Sequence, residues 1–129
     1  MLDGTNSEEV MLNVTVKNIG ELAVVECEGR IVQSEAAFKL REAVTSQEDA
    51  RIVVIALSEV DAIEGGGLGM LVFLRRWARD HNIRLLLFDP SEPVRNRLKR
   101  AKSLAEFYIA RLDEMMALLA YANTRHALA

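Results

Sequence analysis

The run Glu64-Gly65-Gly66-Gly67-Leu68-Gly69 is the stretch of this chain whose residue types point most directly to a specific surface. Glycine is the default where the backbone must take positive φ or where another group must come close. Each glycine also loses more entropy on folding than Ala does, so three in a row before an apolar stretch need a reason. A glycine loop leading into a helix can cradle phosphate, because the first N–H groups of a helix point outward unpaired. The dinucleotide fingerprint fails here. Counted from Gly65 and Gly67 its third glycine falls on Met70, and counted from Gly67 and Gly69 it falls on Val72. No Gly-Lys-Ser/Thr occurs, so a P-loop is absent as well. Two readings stay in balance: a turn that only lets the helix lie close to a sheet, and a recognition loop that offers bare backbone.

Little else in the chain suggests chemistry. His81 and His126 are too few and too far apart for a metal site or a triad. His81, after Asp80, reads as a charge partner at a helix end. Cys27 is the only cysteine. It cannot form an internal disulfide, which agrees with a reducing compartment, and in an apolar strand it reads as an inert core thiol. No enzyme activity, metal or cofactor is expected. Arg95, Arg97, Lys99, Arg100 and Lys102, with Arg75, Arg76 and Arg79 before them, make basic helix faces. No aromatic residues interleave for base stacking, so these read as solvated faces rather than a nucleic-acid surface.

The elements that must position the loop follow from periodicity. Alternation over 12–16 and an apolar run over 22–27 predict two strands joined by a turn at 18–21. Ser34 is read as the N-cap of a helix over 35–45, whose inward stripe is Ala36, Ala37, Leu40, Ala43 and Val44. The β-branched run 52–57 suits a central strand covered on both faces. A short polar crossing, the glycine loop and a helix over 68–80 follow. A second buried strand is predicted at 84–88, and a helix over 92–102 opens with Pro93 and buries Val94, Leu98 and Ala101. A short edge strand within 104–109 and a last helix over 113–126 complete the order. Helix 68–80 is apolar on two sides, with Met70, Phe73 and Trp77 opposed to Leu71, Leu74 and Ala78. Since one sheet cannot take both sides, some of Leu68, Met70, Phe73 or Trp77 remain at the surface, and Phe38 raises the same question.

At 129 residues the chain is one domain by length. No apolar run approaches the roughly 18–20 residues of a membrane span, and the first ten residues lack a signal pattern, so the expected compartment is the cytoplasm. The net charge of −3 sits in Asp3, Glu8 and Glu9, which leaves 16 acids and 16 bases in the remainder. Bulk charge therefore gives no case for nucleic acid or membrane. Residues 1–10 read as a flexible acidic tail and 11–129 as the domain.

The loop and the helix after it resemble the signature of STAS domains, the family of bacterial anti-sigma factor antagonists and sulfate-transporter tails. That family reads hydrophobic-Asp-Ser-Ser-Gly-Leu-Gly, matched here by Glu64, Gly65, Gly66, Gly67, Leu68 and Gly69. The resemblance spans about residues 12–120, with weaker matches at Gly29-Arg30-Ile31 and at Pro90 to Arg95. It implies a single α/β domain: a mixed, mostly parallel sheet with an N-terminal hairpin and about four helices.

The resemblance also sets functional expectations. Gly66 stands at the position of the serine that is phosphorylated in the family. Of three positions where phosphorylated members place acids around that serine, this chain has Val32, Ala56 and Glu64, and only the last is a carboxylate. Ser58 precedes the loop and does not match the acceptor position. The implied function is protein binding: docking the loop and the start of the next helix onto a kinase-type anti-sigma factor, and so altering transcription without touching DNA. Asp61 and Glu64 would give polar rim contacts, Gly65, Gly66 and Gly67 close backbone approach with Gly69 beside them, and Leu68 with Met70 apolar contact. The alternatives are a non-switching subunit of a signalling assembly or homodimer and, from another class, a small-ligand or nucleotide-binding domain using the helix start at Gly67.

Overall fold

Two strands, β1 (Leu12–Ile19) and β2 (Leu22–Ile31), open the chain as an antiparallel hairpin in which Ile19 pairs with Leu22. Gly20 holds the first of the two turn positions with φ 59°, as a two-residue hairpin turn demands. Both strands run several residues past their predicted ends, because they pair with each other from Leu12↔Gly29 to Ile19↔Leu22 and β2 continues to Ile31 against β3. The computed structural model describes residues 12–128, so the acidic tail expected over 1–10 lies outside the described residues.

The remaining order is α1 (Ser34–Thr45), β3 (Ile52–Ile63), α2 (Gly66–Asp80), β4 (Arg84–Phe88), α3 (Glu92–Arg100), a 3₁₀ turn at Leu104–Glu106, β5 (Tyr108–Ala110) and α4 (Leu112–Leu128). The sheet order is β1-β2-β3-β4-β5, with every pair after the hairpin parallel. Val53, Ile55 and Leu57 bury one face of β3 against α1, α2 and α3, while Val54 on the other face meets α4. The single mixed-sheet α/β domain expected from the sequence is the one observed.

Several boundaries differ. The polar crossing after residue 57 does not exist: β3 continues to Ile63, paired to β2 through Glu28↔Glu59 and Ile31↔Ile63. Between Glu26↔Ala56 and Ile31↔Ile63, β2 advances five residues and β3 seven. Two bulges absorb the difference and bring Val60 and Ile63 back into the core, so the polar Ser58, Glu59 and Asp61 are bulged strand rather than loop. Ser34 is the first helical residue, not the N-cap. Gln33 takes that place, extended and without a side-chain cap. Helix α3 stops at Arg100, and Lys102 follows at φ 61°, so Ala101 is an exposed C-cap instead of a core residue. The predicted 104–109 strand is a 3₁₀ turn followed by three residues of β5.

Candidate functional site

The glycine run sits where the long central strand hands over to α2, and its members do different jobs. The strand end is closed by Glu64 N–H donating to the Ile31 carbonyl at 3.2 Å. Gly65 then turns the chain with φ 45° and ψ −111°, a conformation that L side chains rarely adopt. Gly66 begins the helix, and Gly67 N–H closes the turn on the Glu64 carbonyl at 2.8 Å. Gly67 is buried. A Cβ there would lie 2.2 Å from the Ile31 carbonyl oxygen and 2.8 Å from Ile31 Cγ2. It lets α2 press onto the end of β2. Gly66 and Gly69, by contrast, are exposed, and a Cβ on either would meet nothing within 4 Å. The fold requires glycine at 65 and 67 and does not require it at 66 or 69.

Glu64 is fixed by a partner that the chain supplies from 33 residues away. Arg97 Nε on α3 lies 2.6 Å from Glu64 Oε1. The hydrogen bond and positive charge of Arg97, with Arg100 adding to the field, hold the Glu64 carboxyl below the ordinary carboxylate range. Helix α3 is itself seated on β3 by its N-cap, Ser91. The Ser91 hydroxyl donates to the Val60 carbonyl at 2.5 Å and accepts from Val94 N–H at 3.4 Å. The basic face of α3 is thus not merely solvated, since Arg97 is half-buried and engaged. Nothing local in the sequence marks it, because the pairing is created by the parallel crossover.

Beyond the loop, the outer stripe of α2 continues through Gly69, Met70 and Phe73 at helical spacing. Leu68 and Met70 are half-buried against the core, whereas Phe73 and Phe38 of α1 are 41% and 52% exposed. The Arg41 guanidinium lies 5.5 Å from the Phe73 ring and 5.6 Å from the Phe38 ring, bridging the seam between α1 and α2. The question over Phe38 is resolved towards the surface, and its i, i+3 spacing to Arg41 was the available signal. Trp77 turns inward and stacks on His81 at 4.5 Å, while His81 Nδ1 meets the Trp77 carbonyl at 2.8 Å.

The other candidates fall elsewhere. Asp61 is exposed on β3. Val32 is half-buried after β2. Ala56 is not at the end of its strand, which runs seven residues further, and it faces α4 on the opposite side of the sheet from the loop. Ser58 lines that same opposite face. Cys27 is buried, and burial pushes its thiol up to about 12. No group of three metal-ligating side chains occurs among the described residues. No described helix is long and apolar enough to cross a membrane.

The sequence matches the family model of the STAS domain over residues 13–116. No protein of curated function matches it. Among solved structures it is similar to the unphosphorylated form of the anti-sigma factor antagonist SpoIIAA, with a TM-score of 0.68 at 13% identity over 84% of this chain and 96% of that one. An anti-sigma factor antagonist from Mycobacterium paratuberculosis gives 0.69 at 17% identity over 83% and 92%. The phosphorylated form of SpoIIAA, a Bacillus cell fate determinant, gives 0.63 at 14% identity over 83% and 99%. At these identities the likeness establishes the fold.

Proposed function

The chain belongs to the STAS domain family, and from that premise we propose that it is a non-enzymatic, cytoplasmic regulator of the anti-sigma factor antagonist kind. Its partner is a kinase-type anti-sigma factor, which it engages through the glycine loop and the outer stripe of α2. The observation that carries this reading is that Gly66 and Gly69 are glycine without any structural demand. Together they leave a strip of bare backbone on the first turn of the helix, and that strip leads directly to Met70 and the exposed Phe73. Interfaces of this kind join a close-approach surface to an aromatic anchor.

The electrostatics support the same reading. A carboxylate buried in an interface without a partner is strongly unfavourable. Glu64 already has Arg97, so the pair can be covered by a partner at much lower cost than a bare acid. Residues 64–69 contain no hydroxyl. Where phosphorylated relatives gain about −1.5 to −2 charge, the helix start at Gly66 gains none and the protein remains competent to bind. Co-expression with each kinase-type anti-sigma factor of its own genome, followed by size-exclusion chromatography, tests the proposal. One of them is expected to co-elute with the wild type and to be lost with Gly69→Arg, a change the fold tolerates. Retention of none, or equal retention by the variant, contradicts it.

A further inference from the structure

Among the described residues, the face of the sheet away from the glycine loop is covered by α4 alone, which follows β5 and crosses to pack on β1 and β2. Five strands about 4.8 Å apart are wider than one helix about 10 Å across, so one side of α4 leaves sheet uncovered. The result is a cleft of 590 Å³ beside α4 over β1, β2 and β3. Its apolar wall includes Leu112 and Met116, which are 66% and 57% exposed, and Val24 and Ala56 lie in its floor. From Met115 to Thr124 the helix carries no charge at all. Surface helices ordinarily put charge on their outer side, and one apolar around its circumference is ordinarily covered.

The opposite lip of the cleft is acidic. Glu28 on β2 and Glu59 on β3 are direct register partners, and both line the cleft. Like charges placed directly across strands are destabilising. Glu26 on the same face is answered by Lys17 at 3.5 Å, but neither Glu28 nor Glu59 has an ion pair among the described residues. We propose that this cleft is a second docking site, for a basic amphipathic helix of a partner protein. Such a helix lies beside α4 with its apolar stripe on Leu112 and Met116 and its Lys or Arg residues on Glu28 and Glu59.

Charge and shape select this occupant. Residues 1–11 bring Asp3, Glu8 and Glu9 and no base, which would add to the repulsion. A second copy of the chain brings the same acid pair, and its basic helix α3 has its apolar side locked in its own core through Val94 and Leu98. Small-molecule sites bury most of their ligand, whereas Glu28 and Glu59 stand exposed at an open rim. Because the cleft and the glycine loop lie on opposite faces of the sheet, the site stands independently of the anti-sigma reading.

The test is selection of a phage-displayed library of helix-forming 16-residue peptides on the wild type, with enriched peptides synthesised and measured by fluorescence anisotropy. Glu28→Lys/Glu59→Lys is the matched variant. It reverses the charge while keeping a like pair, so its melting temperature should stay close to wild type. Enriched peptides should carry a Leu or Phe stripe and net positive charge, bind at least tenfold more weakly to the double variant, and weaken with added salt. They should also bind Gly69→Arg unchanged. No enrichment, neutral or acidic winners, or equal affinity for the double variant overturns the proposal. So does a wild-type dimer in sedimentation that Met116→Glu dissociates, because the apolar wall would then belong to a second copy.

Discussion

Replacing Gly67 with Ala adds one methyl group at the tightest point between α2 and the sheet. That methyl would lie 2.2 Å from the Ile31 carbonyl oxygen, 2.8 Å from Ile31 Cγ2 and 3.0 Å from Ile63 Cγ1. Relief requires backbone movement, since the closest atom is not the end of a flexible side chain. The same Ile31 oxygen accepts the Glu64 N–H at 3.2 Å, so moving it also loosens the bond that closes the strand end. Overpacking costs roughly 1–3 kcal/mol and a weakened hydrogen bond about 1 kcal/mol, which together give about 2–4 kcal/mol. At roughly 4 °C per kcal/mol for a domain of this size, the melting temperature should fall by about 8–16 °C. Gly65→Ala has open space around it and is strained only by its φ of 45° and ψ of −111°, so it should lose somewhat less, about 1–3 kcal/mol. Gly69→Ala meets open space inside a helix and should gain about 0.5–1 kcal/mol. Urea and thermal denaturation of the three variants give the order. A Gly67→Ala protein that melts like wild type would refute the assignment of this glycine to close packing.

Other outcomes follow from the same structure. Val54 is fully buried between the sheet and α4, so Val54→Asp should lose more than about 4 kcal/mol and show an unfolded circular dichroism spectrum at 25 °C. The Glu64 side chain, followed by NMR, should titrate below its ordinary value of 4.5 and return towards it in Arg97→Gln. Because this pKa is depressed in the folded state, the stability from the pair is present above the unfolded-state value and lost as pH falls through the folded-state one. The melting difference between wild type and Arg97→Gln should therefore vanish in acid. With its thiol pushed up to about 12, Cys27 should react with a thiol reagent at pH 8 far more slowly in the native protein than in urea.

The alternating elements, the two-faced central strand and the hairpin were legible because hydrophobic period and turn residues act locally. The end of β3 was not. Ser58, Glu59 and Asp61 look like a loop by composition, and only the bulged pairing with β2 makes them strand. Ala101 fits the apolar spacing of α3, yet the helix ends one residue earlier, with Lys102 beyond it at φ 61°. At the site, the sequence marked the glycines as a group but could not divide them. Gly67 is distinguished by the Ile31 carbonyl, 36 residues earlier in the chain, and Arg97 by a carboxylate 33 residues away. Both contacts exist only once the parallel sheet is assembled.

In the proposed function a partner docks against the bare backbone at Gly66. Gly66→Asp puts a carboxylate at that point with open space around it and with Gly66 outside the positive-φ glycines. An acid in the first turn of a helix is favourable by about 0.3–1 kcal/mol, so the variant should melt at or above the wild-type temperature. Covered by a partner without a counter-charge, the same carboxylate should weaken binding by about 3–5 kcal/mol, or roughly two to nearly four orders of magnitude in Kd, whereas Gly66→Ala should weaken it far less. Calorimetric titration of the co-eluting anti-sigma factor with the three proteins is the measurement. A folded Gly66→Asp protein that binds as tightly as wild type would move the docking surface away from this loop.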